Sequence, residues 1–157
     1  MGSRSDETVV SFRVLPPVAV AGPLILGWLL TFVRGDPVQL GPWHRPVGAA
    51  ILVVFLVWHV RLLRMFFRNQ TGLLPGESTE TLLVTGPFRV SRNPIYLGLL
   101  FLYLGLALLA PSFWALVLLP VVVALLDWGA IRPEERFLHR RFGAEYDDYA
   151  RRVRRWL

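Results

Sequence analysis

Two adjacent carboxylates, Glu134 and Glu135, stand directly after an apolar run, with Asp127 about two turns earlier. Such a pair can grip ribose hydroxyls or offset a cationic ligand. The ordinary reading stands beside it, since acidic residues stabilise a helix N-terminus through its dipole. Arg89 and Arg92 sit three apart in a loop shaped by Gly86, Pro87 and Pro94. Their guanidinium forks suit carboxylates and phosphates, whereas snorkelling to lipid headgroups is the plainer role of an isolated Arg. Asn93-Pro94 sets an extended approach to a following helix, whose free amides can hold a carboxylate. Tyr96 and Gly98 fall in its first turn. Gly98 leaves room for a flat ligand or for close helix packing.

Other chemistries lack their residues. The chain has no Cys, which excludes disulfides, thiolate metal sites, iron–sulfur clusters and a cysteine nucleophile. His44, His59 and His139 have no metal-ligand spacing with other candidates, and no metal is expected. No HExxH, P-loop, Gly-rich dinucleotide turn or Ser/His/Asp set is visible.

The elements that must position these residues are apolar. Of 157 residues 54% are hydrophobic and only 18% charged, with mean hydropathy +0.49. An all-α integral membrane protein follows, as one membrane-embedded domain over 1–157. Four spans are expected: about Val14 to Val33, Val47 to Leu63 continuing as helix to Arg68, Ile95 to Ala110, and Phe113 to Ala130 with a kink at Pro120. The first run is too long for a signal h-region and has no small-residue cleavage site, so it is expected to remain as a span.

All basic residues are Arg, with formal net charge +6. They flank apolar spans, which points to anionic headgroups and membrane orientation and away from nucleic acid. Arg61, Arg64, Arg68, Arg89 and Arg92 lie between spans two and three, and eight more lie from Arg132 to Arg155. The positive-inside rule then places this connector and both termini in the cytoplasm. The connector 69–93 reads as a shaped loop, with Thr81–Thr85 as a short extended piece. From Pro133 a helical tail is expected, with Pro in its first turn and Gly143 dividing it in two. Phe142, Tyr146, Tyr149, Val153 and Trp156 recur at near-helical spacing among arginines, which predicts an interfacial amphipathic helix.

The run G-P-F-R-V-S-R-N-P-I-Y-L-G at Gly86–Gly98 resembles the G-P-[YF]-R-x-x-R-[HN]-P-x-Y-x-G motif of isoprenylcysteine carboxyl methyltransferases and bacterial phospholipid methyltransferase relatives. R-P-E-E-R-F-L at Arg132–Leu138, F-G-A-E-Y-D-D-Y at Phe142–Tyr149 and R-V-R-R-W at Arg152–Trp156 resemble their C-terminal signature. The resemblance covers about half the chain, Thr81 to Trp156. It implies S-adenosylmethionine at the cytoplasmic face, held by Arg92, Asn93, Pro94, Tyr96, Leu97, Gly98, Glu134 and Glu135. Asn93 stands where many relatives have His, and an amide cannot titrate near neutrality.

Methyl transfer from a sulfonium asks for an in-line nucleophile and a dry site. Arg89 or Arg132 is the candidate for orienting an anionic acceptor. The aromatic face of Phe142, Tyr146 and Tyr149 is the candidate for a hydrophobic or lipid-like acceptor entering from the bilayer. Carboxylate, amine and thiol acceptors all remain open. The Lys-free composition suggests a bacterial inner membrane. An NADPH-dependent membrane reductase of related architecture and a small non-enzymatic membrane scaffold or transport subunit are the competing readings.

Overall fold

A computed structural model describes residues 12–69 and 82–157, and every regular element among them is helical. Helix α1, Pro16–Arg34, opens on Pro16-Pro17, where a fixed φ and a missing N–H cost little, and stops at Gly35 with φ 71°. Helix α2, His44–Asn69, has 26 residues. At 1.5 Å per residue that is about 39 Å, more than the ~30 Å hydrocarbon layer. A short 3-10 turn, Gly86–Arg89, leads to α3, Pro94–Leu109. Helix α4, Phe113–Leu126, is capped by Ser112, whose Oγ accepts the Ala115 N–H at 3.0 Å. A π-turn, Asp127–Ile131, carries it into α5, Arg132–Phe142, and α6 is Ala144–Arg152.

Three helices are long and apolar enough to cross a membrane: Pro16–Arg34, His44–Arg68 and the continuous Phe113–Phe142. Helix α3 is a shorter apolar fourth. Helix α2 packs chiefly on α3, α1 on α4, and α3 joins the two pairs. Missing side chains set the closeness. A Cβ on Gly48 would lie 2.9 Å from the Gly105 carbonyl oxygen, and one on Gly27 only 2.5 Å from the Ala115 Cα. In lipid, where helices gain little from water exclusion, such close approach supplies dispersion contact. Ala19, Leu24, Tyr103, Ala107, Ala115, Val122 and Leu126 form the core. Tyr103 is fully buried and donates to the Ala115 carbonyl at 2.7 Å, which satisfies a hydroxyl that lipid could not. Ile25, Leu29, Phe32, Val53, Leu56 and Val117 face outward, as a bilayer solvent allows.

Two expectations are corrected. The fourth span was expected to end near Ala130, with Pro133 opening a separate tail helix. The tail helix does open as expected, with Pro133 in its first turn, but it follows the π-turn without a break, so that one helix runs from Phe113 to Phe142. Proline lacks the N–H that would bind the carbonyl four residues back, that of Gly129. That carbonyl instead accepts the Arg13 N–H at 2.9 Å and the Val14 N–H at 3.4 Å. The Arg132 N–H reaches the Asp127 carbonyl, five residues back, and widens the turn. Gly129 permits this docking, since a Cβ there would lie 2.8 Å from Val14 Cβ.

The second correction concerns the tail. Gly143, at φ 52°, divides it as expected. Helix α6, however, stops at Arg152, and Val153 is extended at φ −121°. The backbone of Arg154 and Arg155 is engaged elsewhere, so Val153 and Trp156 do not continue the helical face. Trp156 packs against the core. Of the expected extended piece 81–85, Thr81 lies outside the described residues; Leu82–Val84 have no regular structure and Thr85 precedes the 3-10 turn.

Candidate functional site

The start of α3 and the start of α5 meet at the arginine-rich end of the bundle. Pro94 opens α3 and places Tyr96 and Leu97 in its first turn, both buried. The Tyr96 hydroxyl donates to Glu134 Oε2 at 2.7 Å. One residue on, Glu135 Oε1 lies 3.3 Å from Arg92 Nη1, with side chains only 14% and 16% exposed. The two motifs thus interlock by two adjacent pairs, Tyr96–Glu134 and Arg92–Glu135.

Arg155 completes the cluster. Its Nε and Nη2 grip both oxygens of Glu135, at 3.1 and 2.6 Å, in the fork geometry suited to a carboxylate. Its Nη1 reaches Asp127 Oδ1 at 3.1 Å, and Arg132 Nε takes the other Asp127 oxygen at 2.6 Å. The hydrogen bonds to Glu135 hold the Arg155 guanidinium above its already high pKa, against the opposing effect of partial burial. Arg92 Nη1 also donates to the Tyr146 hydroxyl at 3.3 Å. Burial pushes the Tyr146 phenol up to about 12, helped by the negative charge of Glu135 and opposed by Arg92. The Tyr149 phenol is raised by burial and by its neighbour Tyr146, and its hydroxyl donates to the Phe88 carbonyl at 2.7 Å. Arg92 Nε is buried with no hydrogen-bond partner among the described residues.

The remaining sequence candidates divide. Asn93 is buried, and its side-chain amide donates to the Arg155 carbonyl at 3.0 Å, alongside Ser91 Oγ at 3.1 Å. The Arg92 N–H is given to the Arg154 carbonyl at 3.0 Å. The loop leading into this helix start is therefore held by the backbone of Arg154 and Arg155. Gly98 faces His59 of α2: a Cβ there would lie 2.2 Å from His59 Cε1, so the imidazole fills the room expected for a flat ligand. His59 Nδ1 lies 3.2 Å from the Phe55 carbonyl, which can only accept, so Nδ1 carries the proton in this bond. Arg89 and Arg132 do not share a cleft. Arg89 lines a small one of about 300 Å³ with Thr85, Tyr149 and Arg152. Arg132 lines a larger one of about 580 Å³ with Glu135 and Arg155. Phe142 is half-buried, and Tyr146 and Tyr149 are buried with their ring centroids 6.3 Å apart.

Sequence reasoning missed Arg155, Ser91 and the contact of His59 with Gly98. The signal for Arg155 was the terminal R-V-R-R-W run, which marks the segment without saying which arginine turns inward.

Known proteins resemble this chain over the region that carries both motifs. The family model for phospholipid methyltransferase matches residues 44–145. A nickel-cobalt-cadmium resistance protein of Alcaligenes xylosoxydans xylosoxydans is 34% identical over 80 residues, 51% of this chain and 37% of that protein. A cobalt-zinc-cadmium resistance protein of Cupriavidus metallidurans is 35% identical over the same shares. The protein-S-isoprenylcysteine O-methyltransferase of Saccharomyces cerevisiae is 36% identical over 77 residues, 49% of this chain and 32% of that enzyme. The chain thus aligns with only about a third of the length of these relatives. No solved structure matches. With a family model covering both interlocked motifs and the helices that carry them, this chain belongs to the phospholipid methyltransferase family of integral-membrane proteins.

Proposed function

We propose that the protein is an S-adenosylmethionine-dependent methyltransferase acting on a hydrophobic or lipid-like acceptor at the arginine-rich membrane face. The observation that carries this reading is the meeting of Arg92 to Gly98 with Glu134-Glu135 beside a buried donor, Arg92 Nε, that has no partner among the described residues. The donor set fits the cofactor. Two carboxylates can accept from ribose hydroxyls and an ammonium while offsetting a sulfonium, and a guanidinium can hold a carboxylate. When bound, S-adenosylmethionine supplies a methyl group already activated for transfer.

The chain's own residues then bind, orient and exclude water. Glu134 is oriented by the Tyr96 hydroxyl and Glu135 by Arg92 and Arg155. Asn93, Pro94, Leu97 and Gly98 shape the α3 start beneath them. Orientation of an anionic acceptor falls to Arg89 or Arg132, and because they open to different clefts each is separable by mutation. Phe142, Tyr146 and Tyr149 form the apolar wall on the acceptor side, tied to the cofactor side through Tyr146 and Arg92. A carboxylate or thiolate acceptor needs no base for this step. The membrane is a bacterial inner membrane with the arginine-rich face and both termini cytoplasmic, in keeping with the positive-inside rule.

The test is methyl-label transfer from S-adenosylmethionine to fractions of a bacterial lipid extract, with purified protein in detergent. Label entering a chloroform-soluble product, and failing to do so with Glu134→Gln, is the expected result. Label confined to water-soluble acceptors would contradict the lipid-like acceptor.

A further inference from the structure

The larger cleft carries more positive charge than the methyl-transfer reading uses. Five arginines line it, Arg13, Arg132, Arg136, Arg140 and Arg155, against one carboxylate, Glu135. Asp127, beneath Arg132 and Arg155, adds a second negative group. The excess is local. Arg132, Arg136 and Arg140 recur every four residues along α5, so one face of that helix stacks three guanidiniums. Like charges at this spacing oppose the helix. Arg136 Nε donates to a backbone carbonyl, that of Arg132 at 3.3 Å. Among the described residues no carboxylate pairs with Arg13, Arg136 or Arg140.

Position adds a second argument. Arg13 precedes α1 by three residues and stands over the Trp128 ring at 5.0 Å. Its backbone N–H is fixed on the Gly129 carbonyl at 2.9 Å, so the cleft wall is built by the π-turn. Trp128 is 49% exposed where the apolar run of α4 gives way to charge. An indole there marks the headgroup level of a bilayer. His139, at the far rim, is engaged with Asp147 at 2.9 Å and leaves the centre to the arginines.

We propose that the Arg13, Arg136 and Arg140 side of this cleft, next to the Glu135–Arg155 pair of the methyl-transfer site, is an anionic-phosphate site, and that it takes the phosphate of an acidic phospholipid at the membrane surface. The guanidinium forks match phosphate oxygens, and a lipid phosphate lies at the depth that Trp128 marks. The site stands independently of the proposed methyl transfer, because binding can be read without cofactor or turnover.

The experiment is native mass spectrometry of the full chain released from a neutral detergent, titrated with phosphatidylglycerol, with phosphatidylcholine, or with inorganic phosphate. The double variant Arg136→Gln/Arg140→Gln is compared with the parent, with Arg68→Gln as a control outside the cleft. Phosphatidylglycerol is expected to bind in preference to phosphatidylcholine. Its affinity should fall about fivefold for each arginine removed and stay unchanged in the control. Inorganic phosphate bound by the parent and lost in the double variant would support the site with free phosphate as occupant. Absence of binding of either anionic probe, or equal binding by parent and double variant, would overturn it. Displacement of the lipid by S-adenosylmethionine would assign the cleft to the cofactor and overturn it equally.

Discussion

The two ends of the helix bundle solve the same problem by different means. At one end, chain reversals at Gly35–Trp43 and Ala110–Ser112 are held by uncharged donors that each find a fixed partner. Trp28 Nε1 donates to the Ala110 carbonyl and Trp114 Nε1 to that of Gly35, each at 3.0 Å. Thr31 Oγ1 lies 2.7 Å from Ser112 Oγ and donates to Asp36 at 2.8 Å. At the other end, Asp127 and Glu135 meet Arg92, Arg132 and Arg155 side chain to side chain, Glu134 accepts from the Tyr96 hydroxyl, and one buried donor, Arg92 Nε, has no partner among the described residues. A closed set of hydrogen bonds from neutral donors gains nothing from a ligand. A partly buried ionic cluster with a donor to spare is costly by itself and can be completed by one. The contrast is in keeping with the proposed division, structure at one end and chemistry at the other.

The contrast breaks hardest at Glu135. Removing it as Glu135→Ala leaves Arg92 and Arg155 half-buried without their shared carboxylate, with an expected loss of about 3 kcal/mol. Thermal unfolding in detergent checks this, and a loss below about 1 kcal/mol would mean that water already satisfies the cluster. At the opposite end Ser112→Ala removes a helix cap and one of the two partners of the Thr31 hydroxyl, with an expected cost of about 1 kcal/mol. S-adenosylmethionine binding should be untouched by that change, and a loss of binding would erase the division between the ends.

Tyr146→Phe should have the smallest effect on stability, below about 1 kcal/mol near neutral pH, because Arg92 keeps Glu135. Its signature lies at high pH. The folded phenol is raised from 10.0 to about 12. Between those values the unfolded chain loses a proton that the folded chain keeps, so stability is full below about pH 10 and falls as pH rises through about 12. A tyrosinate absorbance titration of parent minus variant should show a midpoint near about 12. A midpoint near 10 would place Tyr146 in water.

Much of the fold was legible because lipid leaves few alternatives: a backbone crossing it must be helical and its side chains apolar. The ends near Val33, Arg68 and Ala110 follow from where arginine, glycine and proline resume. The continuous helix through Pro133 was not legible. It depends on Arg13 and Val14, more than a hundred residues away in sequence, supplying amides to the Gly129 carbonyl. The early stop of α6 was hidden for the same reason, since Arg154 and Arg155 bind the Ser91–Asn93 loop through their carbonyls and no side-chain period reports that. In the site, Arg92, Tyr96, Glu134 and Glu135 were legible from their motifs. Arg155 was one arginine in a run of similar ones, and only the backbone path shows which turns inward.

Calorimetric titration of the full chain with S-adenosylmethionine, alongside Glu134→Gln and Glu135→Gln variants of unchanged helical content, tests the central claim most directly. The account expects the parent to bind and each variant to lose about 1.5–3 kcal/mol, the scale of a hydrogen bond to a charged group. NADPH should give no binding heat. Equal binding by parent and both variants, or binding of NADPH in place of S-adenosylmethionine, would contradict it.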